Sequence, residues 1–529
     1  MTLLRLPTGA LAAPPAPTGV FLPGTQPGEG GIELGKVAQC RRCHNQTRNG
    51  DADPFFSWEA TMMSQAARDP VFRSALAVAN QDIPGVGEWC IRCHAPRGWL
   101  EGRSKAPDGA LLTPEDMHGV SCEVCHHLVD PRSAEAAQHA KTVPPGLGSG
   151  MMVVDGENTV RGPYGDGRGA MPHNVMKGEF QASGELCGTC HNVSNPLAGA
   201  DVRTLPPHAY GAIERTYSEW ALSAFAQKGA EGTCQACHMP AVPGGGQASR
   251  FGSLQRPHFV SHAIVGGSSW APRAVAAIFP AREVDPSALE WGAEQARQLL
   301  RRAARLELTV RGAGQVNVRV VNLTGHKLPT GYPEGRRAWV NARFLDVAGA
   351  VLAEVGRYGN TEARLKGKPV SVPTLLDPER TRVYQALPGL SPKQAARYRK
   401  KPGKSFHFVL NDVMVSDNRI PPEGFSNQAF ATHLAAPVGA TYADGQSWDD
   451  VPLTVPPGTA RVEVRLYYQS VSWEYLRFLV EENRSDAWSD RLYQAWSETG
   501  QCAPEVMAEA ALDLAAAPGP DAGAAPPAP

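Results

Sequence analysis

The chain has 529 residues, enough for more than one hydrophobic core. Its 51 Lys and Arg almost cancel its 52 Asp and Glu, so no global charge favours nucleic acid or an anionic membrane. Its apolar runs fall short of the roughly 20 residues that cross a bilayer, and no membrane span is expected.

Residues 1–35 are rich in Pro and Gly and read as a leader or linker. Residues 1–13 hold one Arg and short apolar stretches interrupted by Pro7, a poor hydrophobic region for a signal peptide. No Cys precedes Cys40 to accept an N-terminal lipid.

Residues 36–284 contain ten of the eleven cysteines, all in copies of Cys-x-x-Cys-His. The copies are Cys40/Cys43/His44, Cys90/Cys93/His94, Cys122/Cys125/His126, Cys187/Cys190/His191 and Cys234/Cys237/His238. Chance would give about 0.01 such motifs in a chain of this Cys and His content. Two thiols three positions apart reach the two vinyl groups of one haem, and the adjacent imidazole then lies over the iron. Zinc ribbons and thioredoxin-like sites do not require His after every second Cys, and a disulfide scaffold would not repeat one pair spacing. The expectation is five covalent haems c, each with its motif histidine as proximal ligand. Such attachment implies export to the periplasm or beyond.

With roughly fifty residues per motif, the porphyrins must fill much of this part, and short helices joined by loops are what it can build. One helix is expected over 57–68, with Trp58, Met62 and Ala66 on one stripe; Asp69 and Pro70 end it and open a second, to Val78. Another is expected over 214–225.

Asp285 and Pro286 form a cap and first-turn pair for a linking helix over 285–305. Residues 306–500 then carry strand-like runs at 306–310, 316–321, 338–345, 406–410 and 462–468, several alternating with period two. An antiparallel β-sandwich of immunoglobulin-like type is the natural reading, followed by a helix over 473–496. Residues 501–529 are expected to be a disordered tail rich in Ala and Pro. The fold class is therefore a mainly α and irregular multihaem domain, then an antiparallel β-sandwich domain with terminal helices.

Residues 39–270 resemble multihaem cytochromes of the cytochrome c554 type. The resemblance rests on GVSCEVCH at 119–126, GELCGTCH at 184–191 and ERTYSEW at 214–220. GHKLPTG at 325–331 and DNRIPPEGF at 417–425 are similar to the β-domain that accompanies such haem domains. The resemblance implies periplasmic or extracellular electron transfer, and the chain departs from the tetrahaem type by a fifth motif and a large β-domain. It also implies distal iron ligands at His173, in MPHNV, and at His262, in SHAIVGG, with His258 as the neighbour that could replace the latter. Met63 falls where related proteins put His or Met after a helical Trp, here Trp58; a Met pair on an amphipathic helix is otherwise core packing.

Sixth ligands decide between a shuttle and an enzyme, because an open iron can bind a small molecule. Ten further histidines make ligation by two imidazoles the default. His118, four residues before Cys122, is a candidate; His127, His139 and His208 have weaker contexts. His326 lies in a turn-rich loop of the β-domain, and either caps a haem across the domain boundary or hydrogen-bonds a propionate or carbonyl. His407 and His433 read as structural or surface residues. Basic residues around Tyr398 could steer an acidic redox partner or form a solvated loop. Cys502 is left unpaired.

Two functions follow. One is an electron carrier with protein donors and acceptors, in which chains could associate into a larger cytochrome assembly. The other is a haem oxidoreductase acting on a small nitrogen compound at one five-coordinate haem; no Cys-x-x-Cys-Lys motif, as in pentahaem nitrite reductases, is present.

Overall fold

A computed structural model describes residues 20–45, 50–165, 172–198, 202–251, 254–312 and 314–514. The leader before residue 20 and the tail after residue 514 lie outside these. Among the described residues no helix is long and apolar enough to cross a membrane.

The N-terminal part is built of short helices and turns. Residues 20–35 belong to it rather than to a free linker: Leu22, Ile32 and Leu34 are buried, and Thr25 N–H donates to the Met152 carbonyl. The helix expected over 57–68 is instead Pro54–Glu59, capped by the Asp53 carboxylate. Beyond it the Thr61 and Ser64 hydroxyls donate to the carbonyls of Trp58, Glu59 and Thr61, and this competition breaks the helix into turns. Helix α1, Pro70–Asp82, follows, with Asp69 as its cap. The helix expected over 214–225 covers only Thr216–Ala221, because Ser223 accepts from Phe225 N–H and starts a separate turn.

Helix α2, Pro286–Arg302, leads into a three-stranded antiparallel sheet. Its strands are β1 (Ala304–Val310), β2 (Gln315–Asn322) and, later in the chain, β6 (Trp448–Thr454), with β2 in the middle. The second sheet contains β3 (Arg337–Leu345), β4 (Val351–Val355), β5 (Val383–Tyr384), β7 (Arg461–Gln469) and β8 (Glu505–Asp513). Its central strands β3 and β7 run antiparallel, with Trp339 opposite Tyr467 and Val340 opposite Leu466. Val462, Val464, Leu466 and Tyr468 alternate inward along β7 and share one core with Val316, Val318 and Val320 of the other sheet. Leu466 is fully buried there. Leu466→Ala should therefore cost about 2–5 kcal/mol, read as a lower midpoint in chemical denaturation.

Three further expectations are corrected. Residues 406–410 form no strand; Phe406 and Phe408 pack with Tyr475 and Tyr332, while Val409 and Leu410 pack with Ile83 and Val86. The run is apolar because it is wedged between the two parts of the chain. The helix over 473–496 is two, α3 (Trp473–Glu482) and α4 (Trp488–Glu498), since the Asn483 side chain accepts from the N–H groups of Ser485 and Asp486 and turns the chain. The tail expected from residue 501 begins with strand β8, paired along β7.

The terminal helices do not simply crown the sheets. Leu476, Leu479, Leu492 and Trp496 share a core with Ala75 and Val78 of α1 and with Trp270, Ala271 and Ala274. The C-terminal segment thus clamps the motif-bearing part, so the division read along the chain is not a division in space.

Candidate haem centres

Each motif starts on a short helix: Val37–His44, Gly87–His94, Cys122–His126, Gly184–Gly188 and Cys234–His238. On a helical turn residues three and four apart share a face, which sets two thiols and one imidazole on the same side. All eleven cysteines are free. Cys502 is a buried thiol beside the Ser470 hydroxyl, and burial raises its pKa to about 11.

The five motif imidazoles are oriented in one way. Nδ1 faces an acceptor in every case: the carbonyl of Ala248 for His44 (2.6 Å), Ala66 for His94 (3.2 Å), Arg161 for His126 (2.6 Å) and Val265 for His238 (2.7 Å). For His191 the acceptor is the Glu214 carboxylate, at 3.2 Å. A carbonyl or carboxylate oxygen can only accept, so Nδ1 carries the proton and Nε2 presents a lone pair, the form a metal binds. Burial also pushes the imidazoles of His44 and His126 below their ordinary pKa, and those of His94 and His238 to about 4, which keeps these rings neutral, the state metal ligation needs. His191 is the exception: its ring is exposed on one side, and the hydrogen bond to the Glu214 carboxylate raises its pKa.

Three motif histidines face a second imidazole. Ring centres are 6.5 Å apart for His44 and His173, 6.3 Å for His126 and His262, and 6.4 Å for His238 and His326. A metal lies about 2 Å from an imidazole nitrogen and the ring centre roughly 1 Å beyond it, so two imidazoles sharing one ion have centres roughly 6–6.5 Å apart. Direct stacking would be much closer. Among the described residues the buried Nδ1 of His262 makes no hydrogen bond of good geometry, with the Val260 backbone its only approach, and a ring nitrogen so placed leaves room for something to bind. The residues present therefore fit the group that the sequence implies.

Among the ring contacts of the described residues, neither His94 nor His191 has such an opposing imidazole. Phe72 instead stacks on the His94 ring, centres 3.7 Å apart. His118 lies 6.3 Å from the Trp58 ring and does not face a motif histidine; burial lowers its pKa to about 4. Met63 contributes its carbonyl, which accepts from Val120 N–H at 3.0 Å, and Met62 packs with Val275 and Leu289. His127 spends both nitrogens on protein, Nε2 on Glu123 and Nδ1 on the Asp155 carbonyl. His139 sits beside Glu135 and Asp155, where Arg161 supplies the countercharge. His208 stacks on His433 at 4.0 Å, and His407 hydrogen-bonds Asp82. In the basic stretch, Lys400 meets His407 and Asp82, while Arg397, Arg399, Lys401 and Lys404 are exposed.

The motifs are also close to one another. Thiols of different motifs come near enough to shift one another's ionisation in three pairs: Cys40 with Cys122, Cys93 with Cys190, and Cys187 with Cys234. Cys190 further interacts electrostatically with Cys125. The first motif therefore touches the third, and the fourth lies next to the third, second and fifth. At the second motif Gly150, with φ +64°, comes so near that a Cβ there would stand 2.7 Å from the Cys93 sulfur.

Three motif thiols, Cys43, Cys90 and Cys237, take no part in these contacts between motifs. Cys43, expected as the second thiol of the first site, is free and half-buried, and among the described residues the geometry gives its sulfur no partner. Only its backbone is engaged, the Cys43 carbonyl accepting from Arg250 N–H at 3.0 Å. The thioether expected at Cys43 thus rests on its spacing from Cys40 and His44, because it lies one helical turn beyond the thiol that meets Cys122. The Cys90 thiol donates to the Val86 carbonyl at 3.9 Å, and burial raises its pKa to about 12; Cys237 is exposed.

Secondary elements from both parts build the fifth site. The Asn322 side-chain amide donates to the carbonyls of His326, Ile420 and Pro421 and fixes the loop. Next to it Lys327, fully buried, pairs with Asp417 at 2.8 Å; Arg419 pairs with Asp417 and Glu219. Glu219 also accepts from the Thr330 hydroxyl and Lys327 N–H. The GHKLPTG and DNRIPPEGF segments are thus the two sides of one ion cluster that seats His326 on the N-terminal part. Sequence reasoning missed Glu214 and Glu219, since a carboxylate inside a motif-bearing segment gives no periodic signal.

Residues 39–127 match the family described as cytochrome c554 and c-prime. No curated protein matches the chain significantly. The fold is similar to a crystal structure of a penta-haem cytochrome c552 from Thermochromatium tepidum, with 16% identity and a TM-score of 0.52, covering 91% of this chain and 99% of that one. Motifs, family match and fold agree: the chain is a multihaem c-type cytochrome resembling the cytochrome c554 family.

Proposed function

We propose that the chain binds five haems c, one at each Cys-x-x-Cys-His motif, and serves as an exported electron carrier between redox proteins. The observation that carries this reading is the set of three imidazole pairs at the separation that one shared iron requires. In it His44, His94, His126, His191 and His238 are proximal ligands, and His173, His262 and His326 are distal ligands at the first, third and fifth sites. The ten motif cysteines, Cys43 included, form the thioether links. A bound haem supplies one-electron exchange at its iron, and the protein chooses ligands, burial and neighbours. The contacts between motif thiols support a branched array, first to third to fourth to fifth, with the second beside the fourth. The two sheets with their shared core support a sandwich that holds His326 against the fifth site.

A second reading, a haem oxidoreductase acting on a small nitrogen compound, has one observation in its favour: among the ring contacts of the described residues no imidazole faces His94 or His191. The sites of His118 and Met63 give neither of these an evident sixth ligand.

One preparation tests both readings. Holoprotein from a host competent for cytochrome c maturation should carry five covalent haems by intact mass and haem assay. Fewer than five would overturn the proposal. Electron paramagnetic resonance with only low-spin signals would favour the carrier, whereas a high-spin signal abolished by nitric oxide would favour the enzyme.

A further inference from the structure

Four motif histidines donate Nδ1–H to a neutral backbone carbonyl, and His191 alone donates to a carboxylate. Glu214 is well buried, with its side chain 12% exposed. Its Oε1 also accepts from the Thr216 hydroxyl at 3.1 Å, and the Arg336 guanidinium helps hold the carboxyl below its usual range. The Thr216 hydroxyl in turn meets Thr330 at 3.0 Å, and Thr330 donates to Glu219 at the ion cluster. The carboxylate is therefore held by two donors, His191 Nδ1–H and the Thr216 hydroxyl, and it cannot swing away from His191 without giving up both.

A carboxylate acceptor raises the basicity of a metal-ligating imidazole more than a carbonyl does, and second-shell partners of this kind tune a metal site. The fourth motif is also the junction of the array, adjacent to the second, third and fifth through its two cysteines. We infer that Glu214 is a positioning residue that lowers the reduction potential at the fourth motif and so sets the energy level of the junction through which the other sites communicate. The inference rests on the proposed haem ligation. Reduction there adds one electron, taken from the mediator that poises the solution, beside an existing negative charge; the oxidised state is favoured and no proton need move.

The test is potentiometric titration of the holoprotein followed optically and by electron paramagnetic resonance, with haem content measured on the same samples. In Glu214→Gln one of five midpoints should shift upward while the other four hold. Thr216→Val removes a donor that competes for the carboxylate charge, and the same midpoint should shift downward; Glu214→Asp should stay nearer the parent value than Glu214→Gln. Five haems with all midpoints unmoved in both Glu214→Gln and Thr216→Val would overturn the inference and leave the haem reading intact. Should Glu214→Gln not mature, the downward shift in Thr216→Val supports the inference and its absence overturns it. Parent protein without five haems would instead defeat the reading beneath it.

Discussion

Asp417→Asn should destabilise the protein by about 3–5 kcal/mol, seen as a loss of several degrees or more in thermal unfolding followed through the Soret band. Asp417 is the shared anion of Lys327 and Arg419, and all three are buried. Placing charges there is itself costly, and the cluster persists only because each charge has partners. Removing the one anion that two cations share leaves Lys327 without its countercharge in a place water does not reach. Lys327 is already pushed below its ordinary pKa by burial, with Asp417 resisting the shift. A double change of Lys327 and Asp417 to apolar residues should cost less than the single one, because no orphaned charge remains.

The same cluster fixes an acid limit. Burial alone would raise the Asp417 carboxyl, but Arg419 and Lys327 hold it far below the usual carboxylate range. A group whose folded pKa is depressed contributes stability that is present above its unfolded pKa and lost as pH falls through the folded one. Stability of the parent should thus decline below about pH 4, where an unfolded Asp takes up its proton. Asp417→Asn should show a flatter decline.

The second large effect is expected at His326. Its ring faces His238 across the boundary between the two parts, and its Nδ1 meets the Lys327 carbonyl at 3.0 Å. His326→Ala should convert one of the five haems from low-spin to high-spin while leaving all five attached. Added imidazole should restore the low-spin spectrum by occupying the same side. His326→Met should keep six ligands but raise one midpoint, because a thioether is the weaker donor to oxidised iron. An unchanged spin state in His326→Ala would show that His326 is not an axial ligand. The ion cluster would then serve packing alone.

Much of the candidate site was legible along the chain. His173 and His262 lie in local contexts that pointed to them, and each stands opposite a motif histidine. His326 was legible as a turn-rich loop residue but its partner was not, since Asn322, Lys327 and Glu219 had first to bring two distant segments together. His118 and Met63 show the converse. Their spacing from a motif or a Trp was suggestive, yet spacing along an irregular segment does not fix direction: His118 ends a short turn beside Trp58, and Met63 lies in the turns after Glu59. The strand expected at 406–410 failed for a related reason: an apolar run reports burial, not pairing.

Covalent chemistry is local, so the sequence alone marked the motifs at which haem is proposed to attach: two thiols and an imidazole within five residues need no distant partner. It also determined the alternating strands around Val316 and Val464, where a period of two follows from the backbone itself. Only the tertiary structure decided which imidazoles face each other, which motifs touch, and that Glu214 sits behind His191. These depend on contacts between residues far apart in the chain, whose geometry is set by the packing of whole elements and leaves no periodic trace.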